Sequence, residues 1–235
     1  MLRQGFISFC LFFSVFFTIY GQGSEYGQHS FVIRGEVYVD LEQIYAGHVD
    51  EEYPLSITSA GQRALEEAAL FYSAMIHGWS FSYEIGERAR KIDELLELEP
   101  VGIIKFGDPA LKVTDTEIKN MQLRVWTDYH LSEAAQKRLQ VWRTGMIRNA
   151  QATGYAPDFF KEYPGWIAVK KLALEDSARA AIRTVLRGSE RNRPKHATGF
   201  ISLAAFPRYY IDGGRWAVFA KFRLQITEII PFAAY

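Results

Sequence analysis

The chain has 235 residues, with 27 Lys and Arg balanced by 27 Asp and Glu, and a single cysteine. Zero net charge removes any global pull toward nucleic acid or anionic lipid, and one cysteine excludes a disulfide framework. At 49% apolar and 15% aromatic residues the composition belongs to a folded chain, long enough for one sizeable domain or two small ones packed together.

The first residues, MLRQGFISFCLFFSVFFTIYGQG, set one cation, Arg3, before an apolar stretch from Phe6 to Tyr20 and then small residues at Gly21 and Gly23. This order predicts a secretory signal peptide over residues 1–23. The apolar stretch, about 15 residues, is short of the ~20 that a membrane span requires. Cys10 lies in the middle of it and not at its end, so lipidation is not expected. Cleavage would leave 26 cations against 27 anions and no cysteine, hence no transmembrane span, no thiol nucleophile and no thiolate metal site. The expected location is periplasmic or envelope-associated.

Alternation in FVIRGEVYV (31–39) predicts a half-buried strand with Phe31, Ile33, Val37 and Val39 on one face. Ser59 with Gln62 three residues on resembles a capping box, and Leu65, Ala68, Ala69, Tyr72, Met75 and Ile76 recur at helical spacing, so a helix is expected over 60–77. WSFSYE (79–84) alternates as a short strand, ERARKIDELLEL (87–98) has a helical pattern, and VGIIKF (101–106) has that of a strand. Gly107-Asp108-Pro109 marks a turn. A long strand follows, with Met121, Leu123, Val125, Thr127, Tyr129 and Leu131 on one face. Residues 132–150 are helical in composition, with Leu139, Trp142, Met146 and Ile147 as the apolar stripe.

Residues 154–165 hold two prolines and several aromatics and mark the expected boundary between an N-terminal half, 24–153, and a C-terminal half, 154–235. A helix over 167–187 turns Leu174, Ala178, Ala181, Ile182 and Val185 inward and Arg179, Arg183 and Arg187 outward. GFISLAAF (199–206), a turn at Asp212-Gly213-Gly214 and WAVFAKFRLQITEI complete the chain, the last with Trp216, Val218, Ala220, Phe222, Leu224 and Ile226 on one side. Each half thus offers a long helix and an amphipathic strand. The expected class is α+β, two βαββ-like halves whose antiparallel sheets are each covered by a long helix.

Motifs for chemistry are sparse. The chain has no G-x-S-x-G, no H-E-x-x-H and no G-x-x-x-x-G-K, so no cofactor is expected. His48-Val49-Asp50-Glu51-Glu52 offers one nitrogen and three carboxylates, but so tight a spacing reads as a solvated acidic loop and not as a metal site. His77 at a helix end is expected to meet the helix dipole, and His130 to stand on a polar strand face. Arg179, Arg183 and Arg187 continue into Arg191, Arg193 and Lys195 of RGSERNRPKHATGF. These cations suit an anionic partner, an envelope protein or an acidic glycan, although helix-surface pairing with Glu175 and Asp176 competes with that reading. Trp79, Phe81 and Tyr83 on one face of a short strand, with Tyr209 and Tyr210 beside the last hairpin, offer stacking surface for sugars or a partner, and core packing is the competing reading for all five.

The order of elements, with the alanine-rich helices ALEEAALFYSAM and ALEDSARAAIRTVL, resembles the envelope modules of flagellar outer-ring assembly proteins and related bacterial envelope lipoproteins. The resemblance spans roughly 60 residues in each half and is one of pattern; a lipobox cysteine is missing. It implies a non-enzymatic role in envelope or appendage assembly. The competing expectation is an exported hydrolase using carboxylates such as Asp108 or Glu84. A membrane barrel is disfavoured by the helices.

Overall fold

The computed structural model describes residues 31–42, 53–86, 91, 93–157, 165–189 and 194–231. The expected signal peptide, the His48 loop, Arg191 and Arg193 lie outside these residues. Among those described, the order is β1 (Val32–Asp40), α1 (Ile57–Ile76), β2 (Trp79–Glu84), β3 (Leu95–Pro100), β4 (Leu111–Lys119), β5 (Gln122–His130), α2 (Glu133–Thr144), β6 (Ile147–Tyr155), α3 (Trp166–Ser189), β7 (His196–Leu203), β8 (Arg208–Asp212) and β9 (Arg215–Ile230). The class is α+β with antiparallel sheets.

One sheet has the order β1-β5-β4 and the other β3-β2-β7-β9-β6, with β8 also paired to β9. In the first sheet β5 lies between β1 and β4, with α1 preceding β4 in the chain, and in the second β9 lies between β7 and β6, with α3 between β6 and β7 in the chain. The β2–β3 hairpin follows α1 in the chain and extends the second sheet beyond β7. The two sheets therefore do not divide at residue 154, which lies inside β6.

Local physics accounts for the departures from the sequence pattern. Helix α1 starts earlier than expected because Ser56 is its cap, its hydroxyl accepting the Ser59 N–H at 3.0 Å. Residues 95–100 form a strand and not the end of a helix: LLELEP fits both periods, and pairing of Leu98 with Phe81 and Leu96 with Tyr83 selects the extended one. VGIIKF lies along α1 without strand pairing, its Ile104 N–H donating to the Ser73 hydroxyl at 2.8 Å. Strand β4 carries no one-sided pattern in the sequence because nearly every residue in it is exposed, leaving no apolar face to alternate. Helix α2 ends at Thr144 with Gly145 as its cap, so Met146, 94% exposed, and Ile147, first in β6, do not belong to its apolar stripe.

Two cores result. Val37, Val39, Leu123 and Val125 of the first sheet pack on Ala60, Ala64, Ala68 and Phe71 of α1. Trp79, Phe81, Ile201, Phe222 and Leu224 of the second pack on Leu174, Ala178, Ala181 and Ile182 of α3. Close helix–sheet contact explains Gly154, where a Cβ would lie 2.0 Å from the Ser177 nitrogen. The alternation of β9 holds to Ile226 and then slips by one residue at a bulge opposite Thr198 and Gly199.

Phe222, wholly enclosed, is the largest test of this packing. Phe222→Ala is expected to cost about 3 to 5 kcal/mol in urea unfolding. An unchanged midpoint would place the residue outside the core.

Candidate functional site

The two helix-covered sheets meet along α1 and α3, and the meeting is charged. Lys170, in the first turns of α3, directs Nζ to within 2.7 Å of Glu67 Oε2 on α1, and the two side chains are only 8% and 4% exposed. The ring centroids of Trp216, Tyr209 and Trp166 stand 4.9, 5.0 and 5.2 Å from the same Nζ. The ammonium is thus held by one carboxylate and three π-faces, which offset part of its lost hydration. Burial pushes the Glu67 carboxyl above its ordinary range, and the charge and hydrogen bond of Lys170 pull it back. The arrangement is a clamp between the two helices.

Aromatic side chains extend this joint. Phe206 and Tyr209 pack against both cores, with Phe206 edge-on to Phe71 and Tyr72, and Tyr209 stacked on Phe71 at 5.8 Å. Gly35 belongs to the same contact, since a Cβ there would fall inside the Phe206 ring. The Tyr72 hydroxyl donates to the Thr127 carbonyl at 2.9 Å and lies 3.0 Å from the Thr127 hydroxyl, tying α1 to β5.

Beside the clamp runs a trough of about 340 Å³. Its floor is one stripe of α1, Glu66, Ala69, Leu70, Ser73 and Ala74, and one wall is the segment 102–106. That segment is fixed at Val101, whose N–H donates to the Gly78 carbonyl, and at Ile104, bonded to Ser73. Ile167 and Lys171 of α3 form the other side. On the wall, Ile103 is 67% and Phe106 52% exposed. The trough can accept apolar surface, and its ionisable groups are Glu66, Lys105 and Lys171.

The side chains selected from sequence are distributed elsewhere. Arg179 lies 4.0 Å from Glu175, as a helix-surface pair would. Arg183 bonds Glu94, which also accepts from the Tyr83 hydroxyl. Arg187 is exposed near the end of α3, and Lys195 precedes β7 with its backbone bonded to Ile230 and Ile85. Tyr209 and Tyr210 point to opposite sides of β8. Tyr209 faces the clamp, its hydroxyl donating to the Lys170 carbonyl at 2.8 Å, and Tyr210 faces outward. Trp79, Phe81 and Tyr83 are core residues.

The carboxylates weighed for hydrolysis do not converge. Asp108 accepts the Ala110 N–H and the Tyr129 hydroxyl in a turn before β4. Glu84, 62% exposed at the end of β2, lies 3.8 Å from His196 Nδ1. Among the described residues, no three His, Cys, Asp or Glu side chains gather as a metal site requires. His77 caps α1, but burial first and the Arg138 charge second hold its imidazole below the usual range, which works against the charge that a dipole interaction needs. His130 is exposed at the end of β5.

The α+β fold with this clamp and trough defines the class, and comparison defines the family. A family model matches residues 20–232, and the chain belongs to that family. It is also similar to an "Uncharacterized protein" of Treponema pallidum (strain Nichols), 22% identical over 178 residues, covering 76% of this chain and 73% of that protein. No solved structure matches. No helix among the described residues is long and apolar enough to cross a membrane.

The trough could not be found by motif. VGIIKF, followed by the turn at Gly107-Asp108-Pro109, has the local pattern of a hairpin strand and gives no sign of it.

The joint carries a pH signature. Burial pushes the Tyr72 hydroxyl up to about 12 from its ordinary 10.0, and burial followed by the Glu67 charge raises Tyr209 too. Because both pKa values are raised by folding, the stability they contribute is complete below pH 10 and lost as pH climbs from there, for Tyr72 through about 12. Tyr72→Phe should cost about 0.5 to 1.5 kcal/mol at neutral pH and reduce the alkaline loss. Urea unfolding across that pH range tests this, and an alkaline loss identical in the variant would contradict it.

Proposed function

We propose that the protein is an exported component of a bacterial envelope with a non-enzymatic binding or scaffolding role, and that the trough beside α1 is its binding element. The observation that carries this reading is the exposure of Ile103 and Phe106 along an apolar trough. Grouped apolar side chains facing water favour a partner. The charged and aromatic groups of the joint, by contrast, are satisfied internally.

Export is supported by the charged start, apolar stretch and small residues of the first 23 positions, and the family match begins at residue 20, where that stretch ends. A place in envelope or appendage assembly, as the resemblance to outer-ring assembly modules implies, is compatible with the α+β class and its antiparallel sheets. The separate settings of Asp108 and Glu84 favour binding over hydrolysis.

Fractionation of the native cell tests the proposal. Mass spectrometry of the envelope-bound protein should find a chain starting near Gln22 or Ser24. Ile103→Asp with Phe106→Ser should leave the melting temperature unchanged, both residues being exposed, and should lower co-sedimentation with envelopes severalfold. An intact Met1, or undiminished co-sedimentation of the double variant, would contradict it.

A further inference from the structure

We propose that the occupant of the trough is a single-chain anionic amphiphile, a medium-chain fatty acid, lying along α1 with its carboxylate between Lys105 and Lys171. The inference rests on the reading of the trough as the binding element and assigns its ligand class.

Shape is the first argument. The lining stripe of α1 runs from Glu66 to Ala74, about 12 Å at the helical rise. Small residues line it: Ala69 and Ala74 on the helix, Gly78 beyond its end and Gly102 opposite. Gly102 can approach that closely because it has no side chain; a Cβ would stand 2.8 Å from His77 Nδ1. A volume of about 340 Å³ lies at the lower end of the roughly 300 to 1,000 Å³ typical of small-molecule sites. An apolar space of this volume drawn out along about two turns of α1 suits an unbranched chain.

Polarity along the trough is the second argument. One end is apolar, formed by Ala74, Gly78, Trp79, Pro100 and Gly102. The segment 101–106 runs antiparallel to α1, with Val101 bonded at Gly78 and Ile104 at Ser73, so Lys105 reaches toward the beginning of the helix. Lys171 is brought to that same end because its neighbour Lys170 is clamped to Glu67, the neighbour of Glu66. The charged end is therefore lined by two cations and one anion, with Glu175 just outside the lining beside Lys171. Lys105 has no ion pair among the described residues, and the Glu175 contact of Lys171 is a loose 3.9 Å. Both ammonium groups can therefore serve a ligand. An apolar chain ending in a carboxylate complements the apolar and cationic ends together.

Titration of the mature chain with dodecanoate and with dodecanol, below micelle formation and followed by calorimetry, separates chain from head group. One dodecanoate should bind per chain. Lys105→Glu with Lys171→Glu should weaken it roughly tenfold or more, as loss of two charge contacts implies, while leaving dodecanol binding unchanged. Ile103→Asp should weaken both ligands. Circular dichroism melts confirm that each variant is folded. The inference is overturned if dodecanoate shows no saturable binding, or if charge reversal leaves its affinity unchanged. Should dodecanoate fail while Ile103→Asp with Phe106→Ser still detaches the protein from envelopes, the trough binds something else and the broader reading stands.

Discussion

The buried pair of Lys170 and Glu67 is the constraint on which the arrangement of this protein depends. Each sheet can bury its apolar face under its own helix, α1 on the first and α3 on the second. Neither of those contacts fixes one helix against the other. The ion pair does, because an ammonium and a carboxylate withdrawn from water each lose several kcal/mol of hydration unless they meet in good geometry. Trp166, Tyr209 and Trp216 close three sides of the ammonium, so few other positions of α3 would satisfy it. Direction, more than added stability, is what such a pair contributes.

Placement of the trough follows from that constraint. Glu66 and Lys171 are the sequence neighbours of the clamped residues, one on each helix, and both line it. The site is thus built from the exposed flank of the same joint. Its second wall depends on Ser73, whose hydroxyl accepts the Ile104 N–H and itself donates to the Ala69 carbonyl. A serine within an apolar helix stripe here anchors a loop that no strand supports. The aromatic ladder of Phe71, Tyr72, Phe206 and Tyr209 fills the space between the two cores, and Gly35 is the concession that β1 makes to it.

Much of the fold was legible in the sequence wherever one face of an element is buried. Val37 and Val39 in β1, Leu123 and Val125 in β5, Leu174 to Ile182 in α3 and Trp216 to Leu224 in β9 all obey the period of their element. Legibility failed where that asymmetry was missing. Strand β4 is exposed on both sides, and LLELEP satisfies helix and strand alike until β2 pairs with it. Which sheet receives the β2–β3 hairpin is a long-range choice that local pattern does not encode. The site was less legible still. Arg179 and Arg183 showed as a cationic stripe, yet Glu175 and Glu94 occupy them. Tyr209 showed as a surface aromatic, whereas the box around Lys170 draws it inward. Lys170 and Glu67 stand 103 positions apart, and nothing local marks either one.

A double-mutant cycle on the clamp tests the central claim most directly. Urea unfolding would be measured for Lys170→Met, Glu67→Leu and the two together. If the pair sets the joint, each single variant strands a buried charge and loses about 3 to 5 kcal/mol, while the double variant recovers most of that loss. Single losses below about 1 kcal/mol, typical of exposed pairs, or losses that simply add, would contradict the account.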